Sequence, residues 1–187
     1  MSTKNLKIGS KIPEWKLPGV DGKEYNLSSF KENKALIVIF SCNHCPYVQA
    51  YEERIKAIQS DYKDKGIAVV AINSNDDSQY PEDSFESMKE RAKAKQFNFP
   101  YLRDEEQSIA KAFDASHTPE IFLFDKGRKL VYHGKIDDNW REPEKVKSRY
   151  LRDAIDEMLN GREISVPETF SIGCTIKWKS PYFSTNG

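Results

Sequence analysis

Two uninterrupted apolar runs stand out in the pattern of hydrophobic and polar positions along the chain. Residues 35–40 and 67–72 consist entirely of aliphatic and aromatic side chains. Runs of this kind, rich in β-branched residues, predict strands that are buried on both faces of a sheet. Residues 46–63, between them, carry apolar side chains at helical spacing, and Gly66 follows. A strand, a helix and a second strand in this order predict a parallel βαβ unit.

Turn residues and alternating polarity predict two antiparallel hairpins. The first covers residues 15–27 and turns at Asp21-Gly22, and the second joins residues 120–124 to residues 129–133. The spacing of apolar positions predicts three further helices, at residues 84–96, 105–113 and 146–159.

The C-terminal segment, residues 162–187, shows no long element. It contains prolines, aromatic residues and a cysteine, and its apolar side chains need cover. We therefore expect residues 1–161 to form the domain and residues 162–187 to be an extension packed on it.

Composition and charge restrict the classes of function. The length of 187 residues suits one domain. Lys plus Arg and Asp plus Glu each total 29, so the formal net charge is zero and gives no reason to expect binding to nucleic acid. A membrane-spanning helix needs about 20 apolar residues in a row, and the sequence has no such stretch and no apolar signal segment near its start. We expect a cytoplasmic protein without nucleic-acid or membrane partners.

The chemistry is concentrated in a Cys-x-x-Cys motif, Cys42-Asn43-His44-Cys45-Pro46, which follows the first buried strand and opens the helix. The N–H groups at the start of a helix favour an anion, and cysteines in such motifs have pKa values of about 3.5–7.5. We expect Cys42 to be exposed at the mouth of the helix and to attack as a thiolate. Cys45 would be shielded within the first turn and would act as the resolving thiol. The redox-active group would be a Cys42–Cys45 disulfide, with no other cofactor.

A Cys-x-x-Cys motif can also form half of a zinc site. Structural zinc takes four ligands, usually from two such pairs. The remaining cysteine and histidines outside the motif, Cys174, His117 and His133, are widely spaced along the chain, so we expect no metal. Covalent haem attachment is excluded, because it requires a histidine where Pro46 stands.

Five segments of the sequence carry a resemblance to a known family. They are residues 41–48 (Ser-Cys-Asn-His-Cys-Pro-Tyr-Val), 71–76 (Ala-Ile-Asn-Ser-Asn-Asp), 100–105 (Pro-Tyr-Leu-Arg-Asp-Glu), 136–139 (Ile-Asp-Asp-Asn) and 173–178 (Gly-Cys-Thr-Ile-Lys-Trp). Together with the order of elements, they resemble the redoxin branch of the thioredoxin-like superfamily, and within it the peroxiredoxin-like group. The resemblance implies an α/β, thioredoxin-like fold with a central mixed β-sheet flanked by helices, an N-terminal β-hairpin and a packed C-terminal tail.

The resemblance also implies roles for residues outside the motif. Pro119, which follows Thr118, matches the cis-proline that lies beside the two cysteines and helps to hold an extended substrate segment. Thioredoxin-like reductases keep a buried acid beneath the site, but the strand position used in thioredoxin itself is Leu36 here. Asp76, after the second strand, is either this acid or an ordinary turn or cap residue. Glu120 is a weaker candidate.

The two residues between the cysteines, Asn43 and His44, complete the expected supporting set. A histidine in this place, as in the disulfide isomerases, favours the thiolate and hence the reduced form. The alternative is a His44 side chain that faces solvent and has little effect.

The sequence lacks the peroxide pocket of peroxiredoxins. That pocket uses the pattern Pro-x-x-x-Thr-x-x-Cys. The two positions that should hold Pro and Thr are Val38 and Cys42 if Cys45 attacks, and Ala35 and Ile39 if Cys42 attacks. Similar architecture does not carry an activity by itself.

Cys174 admits two interpretations. It is a third redox thiol if the tail folds back to Cys42 or Cys45, or it is a small buried apolar residue, as free cysteines often are.

Three functions therefore stand in order of preference. The first is a thiol–disulfide oxidoreductase that acts on a disulfide-containing protein or small molecule and is recharged by an electron donor that the sequence does not identify. The second is a peroxiredoxin-like thiol peroxidase with an antioxidant role. The third is a non-catalytic redox sensor in which disulfide formation reshapes the tail.

Overall fold

The structure, a computed structural model, describes residues 6–180, which form nine strands and four α-helices. The strands are β1 (Lys16–Pro18), β2 (Glu24–Asn26), β3 (Ala35–Phe40), β4 (Ile67–Asn73), β5 (Tyr101–Arg103), β6 (His117–Thr118), β7 (Glu120–Phe124), β8 (Leu130–Gly134) and β9 (Cys174–Thr175). The helices are α1 (Pro46–Tyr62), α2 (Phe85–Ala94), α3 (Ser108–Phe113) and α4 (Tyr150–Leu159).

Five of these strands form the central sheet, in the order β5-β4-β3-β7-β8. The strand β3 pairs in parallel with β4 on one side and antiparallel with β7 on the other, so the sheet is mixed. The parallel pair and the helix between its strands confirm the predicted βαβ unit, and the arrangement confirms the predicted α/β fold class.

The alternation of side chains along β3 divides the core into two layers. Ile37 and Ile39 point into a layer that contains residues of α1 and α4. Leu36 and Val38 point into a second layer that contains residues of α3 and of the N-terminal segment. Because both faces of this strand are covered, its sequence is apolar throughout.

Both predicted hairpins are present. Leu17 of β1 lies opposite Tyr25 of β2, and Ile121 of β7 lies opposite Gly134 of β8. Among the helices, α4 begins later than the predicted residue 146, because a short 3-10 turn at Pro143–Lys145 comes first and Val146 is extended.

The adjacency of β3 and β7 positions the functional residues. Phe40, the last residue of β3, pairs with Glu120, the first residue of β7. The chain that leaves β3, at Ser41 and Cys42, therefore meets the chain that enters β7, at Thr118 and Pro119.

The tail returns to this same edge. Its strand β9 pairs antiparallel with β6, just before β7 begins. Among residues 6–180, no helix has the length and apolar character to cross a membrane. The division of the chain at residue 161 stays a prediction, and residues 181–187 of the extension lie outside the described residues.

Candidate active site

Both cysteines of the motif are buried at the junction of β3 and α1. Cys42 is 2% exposed and Cys45 is not exposed, and both pack with Val48. The sequence led us to expect an exposed Cys42, and the structure differs on this point. Thr118 covers Cys42, with its Oγ1 atom 3.4 Å from the Cys42 sulfur. The Thr118 carbonyl oxygen lies 3.4 Å from the Cys45 sulfur, so one residue contacts both thiols.

The start of the helix lies at Cys45 and not at Cys42. The helix α1 begins at Pro46, and Cys45 occupies its N-cap position. Asn43 and His44 form a bend outside the helix, and Cys42 precedes that bend. The helix N-terminus therefore favours a thiolate on the second cysteine.

The two thiols of the motif differ in pKa, because Cys42 donates a hydrogen bond to Cys45. The pKa of Cys45 is lowered to about 4, first by a hydrogen bond from Cys42 and further by contacts with Cys174 and the Val48 backbone, against the effect of burial. The same hydrogen bond raises the pKa of Cys42, and burial and the nearby Asp83 carboxylate raise it further, whereas Thr118 opposes them. In the reduced site a thiolate therefore forms more readily on Cys45 than on Cys42.

Asn43 fixes the bend between the cysteines. Its backbone N–H donates to Oδ1 of Asp83 over 2.6 Å, and its side-chain amide donates to the Glu82 carbonyl over 2.8 Å. The Tyr101 hydroxyl donates to its Oδ1 over 2.8 Å, and the Gln49 amide donates to its carbonyl over 2.9 Å. Asn43 therefore stabilises the loop through these hydrogen bonds and does not face solvent.

His44 faces an acid. Its Nδ1 atom lies 2.5 Å from Oδ2 of the buried Asp83, and its ring stacks on Tyr80 with a centroid distance of 5.5 Å. The side chain of His44 keeps 26% exposure and lines an open surface depression of about 410 Å³ together with Asn43. The ring thus connects the surface to the buried acid.

Asp83 is the site residue that sequence reasoning missed. It is completely buried, and the side-chain amides of Asn73 and Asn75 donate to its carboxylate over 3.1 and 3.0 Å. Its carboxylate, a ring nitrogen of His44 and the Cys42 sulfur lie within 4.8 Å of one another. The signal in the sequence was the pair Asn73 and Asn75, at and just after the end of β4. Two buried side-chain amides need an acceptor nearby, and Asp83 is that acceptor.

These same three groups are the arrangement within residues 6–180 that offers ligand atoms to a metal ion. Cys42, His44 and Asp83 supply one sulfur, one nitrogen and one oxygen donor, one fewer than a structural zinc site takes.

Asp76, the first candidate for the buried acid, is turned towards its own loop. It is 3% exposed, and its carboxylate accepts hydrogen bonds from the backbone N–H and hydroxyl of Ser78 over 3.1 and 2.7 Å. Its backbone N–H donates to the Lys177 carbonyl. The structure shows a turn residue that also holds the tail, and it brings Asp83 to the cysteines instead.

Glu120, the second candidate acid, is engaged elsewhere. It accepts hydrogen bonds from the backbone N–H and hydroxyl of Ser116, and its carboxylate lies 3.4 Å from Nε2 of His133. On the other side of the imidazole, Glu168 of the tail lies 3.6 Å away. Burial by itself would lower the pKa of His133, and the two carboxylates outweigh this effect and raise it.

Thr118 and Pro119 stand where the sequence predicted them. The bond between them is cis, in agreement with the prediction from the family resemblance. Thr118 is 2% exposed and joins the cysteines to the tail, because it is the residue that pairs with Cys174.

Cys174 completes a group of three neighbouring thiols. It packs against the cluster formed by Cys42, Cys45 and Val48, and it is partly exposed. Burial and the neighbouring Cys45 raise its pKa to about 11. The structure shows all three cysteines as free thiols.

Comparisons with known proteins agree with this architecture. The chain matches the Redoxin family model over residues 7–149. It is 26% identical over 127 residues to the thiol-disulfide oxidoreductase ResA of Geobacillus kaustophilus (strain HTA426), a match that covers 67% of each protein.

Solved structures show the same fold. A hypothetical protein from Sinorhizobium meliloti 1021 is 40% identical, with a TM-score of 0.87, covering 95% of this chain and 97% of that one. The thioredoxin domain of a thiol-disulfide oxidoreductase from Bacteroides vulgatus has a TM-score of 0.60 at 18% identity, covering 69% of this chain and 89% of that one. The second likeness shows the thioredoxin-like fold alone.

The relatives that are named thiol-disulfide oxidoreductases support a thioredoxin-like redox function for this chain. The region that matches the family model takes in the Cys-x-x-Cys motif, the Thr118–Pro119 bond and all five strands of the central sheet. The chain belongs to the Redoxin family.

Proposed function

We propose that this protein is a thiol–disulfide oxidoreductase whose redox couple is Cys42 and Cys45. The observation that carries the proposal is the contact of both thiols with one residue, Thr118, at the junction of β3 and α1. Two neighbouring sulfurs in a fixed frame can pass between a dithiol and a disulfide with little movement of the backbone.

The reaction needs two exchange steps. In the first, the Cys42 thiolate attacks a substrate disulfide, a bond forms between Cys42 and one substrate sulfur, and the other substrate sulfur leaves as a thiolate. In the second, the Cys45 thiolate attacks the Cys42 sulfur, the Cys42–Cys45 disulfide forms, and the second substrate sulfur leaves. The substrate disulfide gains two electrons, and a thiol or dithiol donor later returns them to the enzyme.

The electrostatics of the site fit Cys45 as the resolving thiol. Cys45 lies at the N-cap of α1, where the helix N–H groups favour a thiolate, and this effect remains once Cys42 is bound in the mixed disulfide. A resolving step inside the site is then fast, and the substrate is released without a second encounter.

Cys42 needs a proton acceptor before it attacks. The pair formed by Asp83 and His44 lies next to its sulfur, and His44 reaches the surface. We assign His44 the task of taking the Cys42 proton and passing it to solvent, and Asp83 the task of holding the His44 ring in place.

Reduction of insulin disulfides, with dithiothreitol as the donor, tests the proposal. We expect Cys42→Ser and Cys45→Ser each to abolish turnover. We also expect Cys45→Ser alone to retain substrate as a mixed disulfide on Cys42, detectable by mass spectrometry. Thermal melts of the variants show whether they fold. A folded Cys42→Ser variant that reduces insulin at the wild-type rate would overturn the proposal.

Stopped-flow oxidation with stoichiometric hydrogen peroxide separates this function from a thiol peroxidase. We expect slow oxidation that ends in the Cys42–Cys45 disulfide, because the Pro/Thr pair of the peroxiredoxin pattern is absent. Fast, saturating consumption of peroxide would point to the peroxidase instead.

A further inference from the structure

The C-terminal tail lies along the edge of the candidate active site as an added strand. Thr118 pairs with Cys174 and His117 pairs with Thr175, both antiparallel, and the Ile176 N–H donates to the Ser116 carbonyl over 2.9 Å. An exposed strand edge recognises extended peptides through this kind of main-chain pairing. Here a segment of the same chain occupies the edge.

The approach of the tail to the site is unusually close, and it depends on Gly173. A Cβ atom at this position would lie 2.0 Å from the Thr118 carbonyl oxygen and 2.7 Å from its carbon. These atoms are backbone and have no freedom to move aside. Only glycine allows the strand to reach this register, which sets Cys174 against Cys45.

The tail beyond Cys174 is anchored by hydrogen bonds to the main body of the fold. The Lys177 carbonyl accepts from the Asp76 N–H over 2.8 Å and from the Gln107 amide over 3.0 Å, and the Lys177 N–H donates to Oδ1 of Asn75 over 2.9 Å. Ile176 is 3% exposed and belongs to one of the two core layers. These contacts therefore fix the position of Cys174 next to Cys45.

We propose that Cys174 is a third redox thiol, which takes the disulfide from the Cys42–Cys45 pair and carries it to the surface. This inference rests on the proposed function of that pair. It is carried by three observations: the packing of Cys174 against the cluster of Cys42, Cys45 and Val48, with a hydrogen bond between the Cys174 and Cys45 side chains, the close approach at Gly173, and the burial of the other two sulfurs.

The step is an exchange and needs no further oxidant. The Cys174 sulfur attacks the Cys45 sulfur of the Cys42–Cys45 disulfide. The Cys45–Cys174 bond forms, the Cys42–Cys45 bond breaks, and Cys42 leaves with the electron pair. The proton that Cys174 gives up passes to the Cys42 sulfur, where burial and the nearby Asp83 carboxylate disfavour a thiolate.

The exchange changes which sulfurs a donor can reach. Cys42 and Cys45 are 2% and 0% exposed, whereas Cys174 is only partly buried. A thiol donor must contact a sulfur of the disulfide that it reduces. The Cys45–Cys174 disulfide presents such a sulfur, and Cys42 is meanwhile returned to its thiol form.

The first test is disulfide mapping in the Cys42→Ser variant, oxidised with oxidised glutathione and quenched with acid. We expect an intramolecular Cys45–Cys174 disulfide in this variant, and its loss when Gly173→Ala is added. Thr175→Ser, in the neighbouring tail position, is the matched control and leaves the disulfide in place. If Cys45 and Cys174 stay unlinked after prolonged exposure to oxidised glutathione, in a variant that melts like the wild type, the proposal is overturned.

The second test measures how fast a glutathione donor reduces the oxidised protein. We expect Cys174→Ser to slow this step by ~10-fold or more, because the donor must then reach a buried sulfur. Thr175→Ser again serves as the control. An unchanged rate in Cys174→Ser would overturn the proposal.

The two proposals fail in different ways. If wild-type protein forms the Cys42–Cys45 disulfide and reduces insulin, but neither test shows a role for Cys174, only the relay is wrong. If the Cys42–Cys45 disulfide does not form and insulin is not reduced, the proposed function itself is wrong.

Discussion

Asp83 adds to the hydrogen bond with Cys45 and to burial, the larger effects that make Cys42 the harder of the two cysteines to ionise. Its carboxylate is fully buried, with hydrogen bonds from Asn43, Asn73 and Asn75, and it lies within 4.8 Å of the Cys42 sulfur. A negative charge at this distance disfavours a second one, so it raises the pKa of the Cys42 thiol.

Neutralising Asp83 should therefore ease the ionisation of Cys42. In Asp83→Asn, within a background of Cys45→Ser and Cys174→Ser, we expect the midpoint of alkylation against pH to move to lower pH. The sign follows from the removal of a like charge. Glu82→Gln is the control, since this neighbouring acid is half exposed and lies 3.9 Å from His44. Equal midpoints in Asp83→Asn and its parent would contradict this account.

Among the elements, α1 is tied to the loop after β8 by a buried polar cluster. Asp137, 5% exposed, accepts hydrogen bonds from the Tyr51 hydroxyl and from Nη1 of Arg54, both over 2.7 Å. Arg54 also donates to the carbonyls of Asn139 and Trp140. The helix that carries Cys45 at its N-cap is thus fixed at its middle.

Removal of the Asp137 carboxylate should destabilise the fold strongly. We expect Asp137→Ala to lower the free energy of unfolding by ~3–5 kcal/mol, because it leaves the Arg54 guanidinium buried without its acid. The adjacent Asp138→Ala, a change at an exposed residue, should have a much smaller effect. Urea unfolding of the two variants measures the difference, and similar losses in both would count against a buried cluster.

The elements that the sequence predicted well are those with local signals. The two apolar runs, the helix between them and the Asp21-Gly22 turn each depend on neighbours along the chain. The elements that it missed depend on distant partners. Asp83 binds Asn43 across 40 positions, and β9 is a strand only because Gly173 lets it pair with Thr118. The same reason explains the error about Cys42, since the bend that places the helix start at Cys45 is shaped by Asp83.

On the scale of the whole molecule, the tail and the sheet share one core. Ile176 is buried in the layer that also contains Leu36, Val38 and Phe40 of β3. A tail that contributes to the main core should not unfold separately from it.

Truncation of this side chain should lower global stability. We expect Ile176→Ala to cost ~2–5 kcal/mol, the usual range for such a change in a core, and to keep a single unfolding transition. Ile172→Ala, at a position that is 45% exposed, is the matched control and should cost little. Calorimetry distinguishes the cases, and an early, separate transition of the tail would show that it is an independent unit.

Because Cys42 and Cys45 are buried, the tail strand beside them also affects which disulfides can reach them. A foreign disulfide that needs the edge at His117 and Thr118 has to compete with a segment that is already tethered there, at an effective concentration of the order of millimolar. Small thiol reagents bring no main-chain pairing with which to displace it. Under the proposed function, a protein disulfide therefore reaches Cys42 when its own backbone pairs with that edge better than the tail does, whereas a small thiol meets the partly exposed Cys174.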